Sequence, residues 1–144
     1  MIIRSAVVGF LLSIGAHSLH CQDCKDMGYR HENQIDSRPI ELREVKGKVL
    51  DPSGTVMPKV CVGIFTEPEH KLVRYGQTDE TGTFKLSITG LPEGEYRFVG
   101  QLPGFCPGNV RIRNRSHSHQ RRTLVVHMVV RGIDSCSYVE VSKQ

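Results

Sequence analysis

Thr78-Asp79-Glu80-Thr81-Gly82-Thr83-Phe84-Lys85-Leu86-Ser87-Ile88 is the stretch that decides the fold. Its first five residues make a turn: Asp79 can cap it through its side chain, and Gly82 can take the left-handed conformation that ends it. Phe84, Leu86 and Ile88 then share one face, and a period of two marks a strand buried on one side. The run Lys71 to Gln77 enters the same turn. Two strands joined so tightly are expected to be antiparallel neighbours.

The same alternation of short β-rich runs and turn signals extends in both directions. Toward the N-terminus, Lys59 to Thr66 alternates Val60, Val62 and Ile64 with Cys61, Gly63 and Phe65, and Glu44 to Leu50 closes on the turn Asp51-Pro52-Ser53-Gly54. Toward the C-terminus, the turn Leu91-Pro92-Glu93-Gly94 leads into Glu95 to Gln101, with Tyr96 and Phe98 expected in the core and Arg97 outside. Pro103-Gly104 and Pro107-Gly108 force a bend around Phe105-Cys106, because neither proline can donate to a ladder. Val110 to Asn114, Arg122 to Val130 and an edge strand from Cys136 to Val141 complete the set. The expected architecture is all-β, a seven- to eight-stranded antiparallel β-sandwich over 43–141.

The 144 residues suit one domain, and 38% hydrophobic with 24% charged residues is globular composition. Arg4, the 11-residue apolar run Ala6 to Ala16 and the small residues Ala16 and Ser18 read as a signal peptide over 1–18, cleaved after Ser18. The run is too short to span a bilayer, which takes about 20 residues. The mature chain is therefore expected to be exported, periplasmic or secreted, without a transmembrane segment. Lipid attachment at Cys21 is a minor alternative, since His20 fits a lipobox badly. Residues 19–42 are polar and aperiodic, an irregular arm able to add an edge strand. Loss of Arg4 with the leader brings the formal charge from +4 to about +3, too small to imply a nucleic-acid partner.

The succession of turns resembles the carboxypeptidase regulatory-like domain, a transthyretin-like Greek-key sandwich with a carbohydrate-binding-like fold, found also in small exported bacterial proteins. The matching residues are Gly47-Lys48-Val49 and Asp51, Gly54, Pro58 with Val60 and Val62, Thr78-Asp79-x-x-Gly82-x-Phe84, Leu91-x-x-Gly94-x-Tyr96, and Gly104-Phe105. They cover about Val45 to Val130. Lys59 stands where the family usually has Gly, and Cys61 where Ser or Thr is common. The resemblance implies a non-catalytic module; in metallocarboxypeptidases the zinc is held in a separate domain, partly by His-x-x-Glu. None of the seven His in this chain is followed by Glu at that spacing.

The residues themselves show no catalytic apparatus, no cofactor motif and no metal site, so an enzyme is not expected. Cys21-Gln22-Asp23-Cys24 has C-x-x-C spacing but lacks the strand and helix of a thiol-redox site. In an exported chain ordinary disulfides are the simpler reading. Among the five cysteines, Cys61 with Cys106 and Cys24 with Cys136 are the expected bridges, leaving Cys21 over. A bridge from arm to domain closes a long loop and removes entropy from the unfolded chain.

The segment Arg111 to Arg122 carries five Arg, two His and no acid. Alternation puts Arg111, Arg113 and Arg115 on one strand face, about 7 Å apart, a row able to pair phosphates or carboxylates. Arg121 and Arg122 extend it, and His117 and His119 are read as loop residues. The competing reading is a solvated hairpin whose charges discourage edge pairing. Trp is absent, and Tyr75 and Phe65 are the plausible surface rings for a sugar. The functional expectation is an exported binding module for a glycan, an anionic envelope polymer or an envelope protein. The alternatives are an assembly role through strand edges or a free Cys, and thiol redox through Cys21 and Cys24.

Overall fold

The computed structural model describes residues 23–30, 38–115, 122–132 and 136–143. The expected signal peptide, Cys21, His117, His119 and Arg121 lie outside them. One 3₁₀ turn (Cys24–Asp26) precedes nine strands: β1 (Ile40–Leu42), β2 (Glu44–Leu50), β3 (Cys61–Thr66), β4 (Leu72–Gln77), β5 (Thr83–Ser87), β6 (Gly94–Gln101), β7 (Gly108–Asn114), β8 (Arg122–His127) and β9 (Tyr138–Lys143). They form two sheets, ordered β1-β7-β6-β3-β4 and β5-β2-β8-β9. Between them lies the apolar face that alternation marks out: Val45 and Val49, Val62 and Ile64, Phe84 and Leu86, Tyr96 and Phe98, Val110 and Ile112, Leu124 and Val126. Phe84 and Phe98 stack across the sheets at 5.1 Å.

The sandwich is as expected, with pairings that the sequence did not announce. Most are antiparallel, but β1 runs parallel to β7 and β2 parallel to β8. The cause is a double sheet switch. Arg43 is the single residue between β1 in the first sheet and β2 in the second, and the connection from β7 to β8 makes the same change of sheet. Two chain segments that switch together lie side by side in the same direction. Gly47 lets β8 approach, since a Cβ there would stand 1.9 Å from the Leu124 carbonyl oxygen.

The turn Thr78 to Gly82 does not make neighbours of β4 and β5. It carries the chain from the edge of the first sheet to the edge of the second, where β5 pairs with β2. Thr78 fixes the crossing. Its buried hydroxyl donates to the Met57 carbonyl at 2.8 Å and accepts from the Val60 amide at 2.9 Å. Asp79 then caps the turn, accepting from the Thr81 and Thr83 amides and both hydroxyls. Those bonds, the hydroxyls first, hold its carboxyl well below the usual range. Asp51 repeats the device with Ser53 and Thr55, so two D-x-[ST]-G-T turns share one hydrogen-bond scheme.

Part of the expected irregular arm is built into the domain. Ile40–Leu42 forms the edge strand β1, and residues 23–30 lie as a strap across the outer face of the first sheet. Cys24, Met27, Cys61, Phe65 and Val99 make a second buried cluster there, flanked by Tyr29 and Leu72. Phe65 is consequently buried and is no surface ring. The bridges are Cys24–Cys61 and Cys106–Cys136, which corrects the expected pairing while keeping an arm-to-domain link. Cys61 and Cys106 are each in reach of a partner that the strap, or the close of the chain, brings to their own side of the fold. Among the described residues no helix is long and apolar enough to cross a membrane.

Candidate functional site: the arginine-rich outer face

Alternation along β6 turns Glu95, Arg97, Val99 and Gln101 away from the core, and along β7 it does the same to Asn109, Arg111 and Arg113. In register, Arg97 stands opposite Arg111 and Glu95 opposite Arg113. Two arginines facing each other repel, and the face answers with carboxylates. Glu95 accepts hydrogen bonds from both Arg111 and Arg113, which draw its carboxyl below its ordinary range, Arg113 contributing most. Arg115 pairs with Glu41 on β1 at 2.9 Å.

The expected row of three guanidinium groups therefore exists, on the face that alternation assigned. It is a row of ion pairs, each arginine already meeting a carboxylate of the protein. Arg115 is the most exposed, its side chain 55% accessible, against 28% and 34% for Arg111 and Arg113. Arg122 does not join them. It opens β8 in the second sheet, half-buried. Tyr75 is exposed on β4, opposite Gly63 and away from the arginines.

Arg97 is the correction of greatest consequence. Expected outside, it does face outward, yet it is 4% exposed because the strap and the β3–β4 connection cover that part of the sheet. It donates from Nε to Glu67 Oε1 at 2.6 Å and from Nη1 to Asn109 Oδ1 at 3.0 Å. Beside this pair the Tyr29 ring stacks on His70 at 3.9 Å and meets Phe65 edge-on at 5.3 Å. Burial pushes the Tyr29 hydroxyl up from its ordinary value. Tyr29, Glu67 and His70 escaped the sequence reading. One signal was available: Cys61-Val62-Gly63-Ile64-Phe65 is apolar on both faces, the mark of a strand covered on both sides.

The remaining sequence-marked groups have other roles. Cys24 is bonded to Cys61, so the C-x-x-C pair does not close on itself. His127 faces outward as expected, stacked on exposed Tyr138 at 4.5 Å with Nε2 3.0 Å from Glu140. Among the described residues no group of three His, Cys, Asp or Glu side chains could hold a metal ion.

The two packed sheets form a transthyretin-like β-sandwich. Sea bream transthyretin, solved in complex with thyroxine, is similar with a TM-score of 0.52 at 17% identity, over 69% of this chain and 95% of that one. Transthyretin from Sparus aurata is similar at 0.50 and 19%, over 69% and 97%. At such identity the likeness shows the fold alone. No family model matches the chain, and no curated protein does.

Proposed function

We propose that this chain is an exported, non-catalytic binding module for an acidic glycan, taken up on the outer face of β6 and β7. The observation that supports it most is the Arg111–Glu95–Arg113 arrangement. One carboxylate serves two guanidinium groups, so the trio keeps a net positive charge. Each guanidinium has five N–H donors, of which Glu95 uses few, and a side chain already held in place loses little entropy on binding. Arg115 extends the row toward solvent. Two disulfides fit an oxidising compartment, which supports export and, with the leader-like N-terminus, a periplasmic or secreted location. The sequence resemblance to carboxypeptidase regulatory-like domains supports a module without chemistry of its own.

Affinity electrophoresis in polygalacturonate, with dextran as the neutral control, tests this reading. Wild type is expected to be retarded by the acidic polymer alone, and less so as salt rises. Arg111→Ser, Arg113→Ser and Arg115→Ser together should weaken binding at least tenfold. Equal retardation by dextran, or a triple variant that binds as wild type does, overturns the proposal.

A further inference from the structure

Gln101 is the last outward-facing residue of β6, so the row that holds Glu95, Arg97 and Val99 runs on to the end of the strand. There it opens into a cleft of about 270 Å³ lined by Arg30, Gln101, Pro103, Phe105, Pro107 and Arg131, with backbone of the β6–β7 connection between them. Arg30 comes from the strap and Arg131 from the segment after β8. Two distant parts of the chain thus each contribute an arginine to the lining of one small cleft, and none of the described residues that line it is acidic.

Both walls are held independently. The β6–β7 connection is tied by the Cys106–Cys136 bridge, by the Phe105–Val130 bridge pair, and by the Arg131 amide donating to the Gly104 carbonyl at 2.9 Å. Ser137 adds a hydroxyl donated to the Cys106 carbonyl at 2.6 Å. The strap is tied by Cys24–Cys61 and by Gln101 Nε2 donating to the Gly28 carbonyl at 2.7 Å. A site whose walls are fixed before the ligand arrives binds at a lower entropic cost.

We infer that this cleft is a subsite for a single acidic sugar residue, a hexuronate, whose carboxylate meets Arg30 and Arg131 while its ring lies against Phe105 and the flanking prolines. Arg30 and Arg131 also have interactions within the protein. Two arginines at one cleft attract a carboxylate even while paired within the protein, because a guanidinium can serve more than one acceptor. The cleft is a little below the roughly 300–1,000 Å³ of drug-sized sites, which suits one sugar ring. A lining that holds two arginines and a glutamine beside one aromatic ring suits a hydroxyl-rich acid better than a purely aromatic one.

The subsite rests on the acidic-glycan reading, and small probes separate the two. Galacturonate, galactose and benzoate are titrated into the full chain with both disulfides intact, and amide and Phe105 ring shifts are followed by nuclear magnetic resonance. Galacturonate is expected to shift residues 101–107 and 131. Arg30→Gln and Arg131→Gln should each weaken it about tenfold, Phe105→Ala several-fold, and the Arg111, Arg113 and Arg115 triple change hardly at all. Arg30 and Arg131 are exposed, so these variants should fold, and unchanged far-ultraviolet circular dichroism verifies it. Galacturonate binding that survives Arg30→Gln and Arg131→Gln overturns the subsite. Benzoate binding as tightly as galacturonate overturns the sugar class. If polygalacturonate binds the β7 face while galacturonate leaves 101–107 unmoved, the subsite fails and the wider reading stands; if neither binds, both fail.

Discussion

Arg97 shows what one residue's surroundings do to its character. On a half-covered strand an outward arginine is a solvated charge, but here it is 4% exposed and lives on its bonds to Glu67 and Asn109. Breaking such a pair from one side costs about 3 kcal/mol, while replacing both partners with apolar or neutral groups is often mild. Glu67→Gln should therefore destabilise by about 3 kcal/mol in urea unfolding, because it strands the buried charge. Arg97→Met should cost less, since Glu67 is 21% accessible and can turn to water. The double variant should be more stable than Glu67→Gln alone; a Glu67→Gln change within about 0.5 kcal/mol of wild type would sink this account. Lys59 is a second case. It adopts φ 60, the left-handed region glycine favours, which gives a physical reason for the glycine that the resembling family carries there.

The strands themselves were legible from local pattern, because a period of two and a turn residue are properties of neighbours in sequence. Glu44–Leu50 was expected with those bounds, and Gly82 takes the positive φ foreseen for it, 71°. Which strand pairs with which was less legible. The Asp79 turn looks the same whether the chain doubles back in one sheet or steps to the other, and the deciding contacts belong to Met57 and Val60. The parallel pairing of β2 with β8 likewise depends on a close approach that no local pattern encodes. Gly47→Ala should push the Leu124 carbonyl away and cost about 3 kcal/mol or more, at the upper end of overpacking. Gly90→Ala, whose Cβ would meet nothing, should cost only about 1 kcal/mol for its left-handed backbone. Similar costs at the two sites, measured by thermal unfolding, would mean that β8 yields easily.

For the whole molecule, the strap turns an open sheet face into a second core. Cys24–Cys61 closes a separation of 37 residues, nominally about 4 kcal/mol of unfolded-state entropy. Cys24→Ser with Cys61→Ser should lower stability by about 2–5 kcal/mol, and should uncover Phe65 and Val99 to a fluorescent apolar dye. A strap variant that keeps wild-type stability and takes up no dye would show that the face needs no cover. The candidate site divides along the same line as the fold. Arg111, Arg113 and Arg115 were found from sequence, since sharing a strand face is a matter of spacing; Glu95, Glu41, Arg30 and Arg131 were not, since their meeting depends on register and on where distant segments come to rest. The all-β character, most strands and turns, the inward face of the sandwich and the basic strand were legible in the amino-acid order, because each follows from alternation and from residues within a few places of one another. The sheet to which each strand belongs, the disulfide partners, the burial of Arg97 beneath the strap and the pairing of the arginine row emerge with the folded chain, because each is fixed by contacts between residues far apart in sequence.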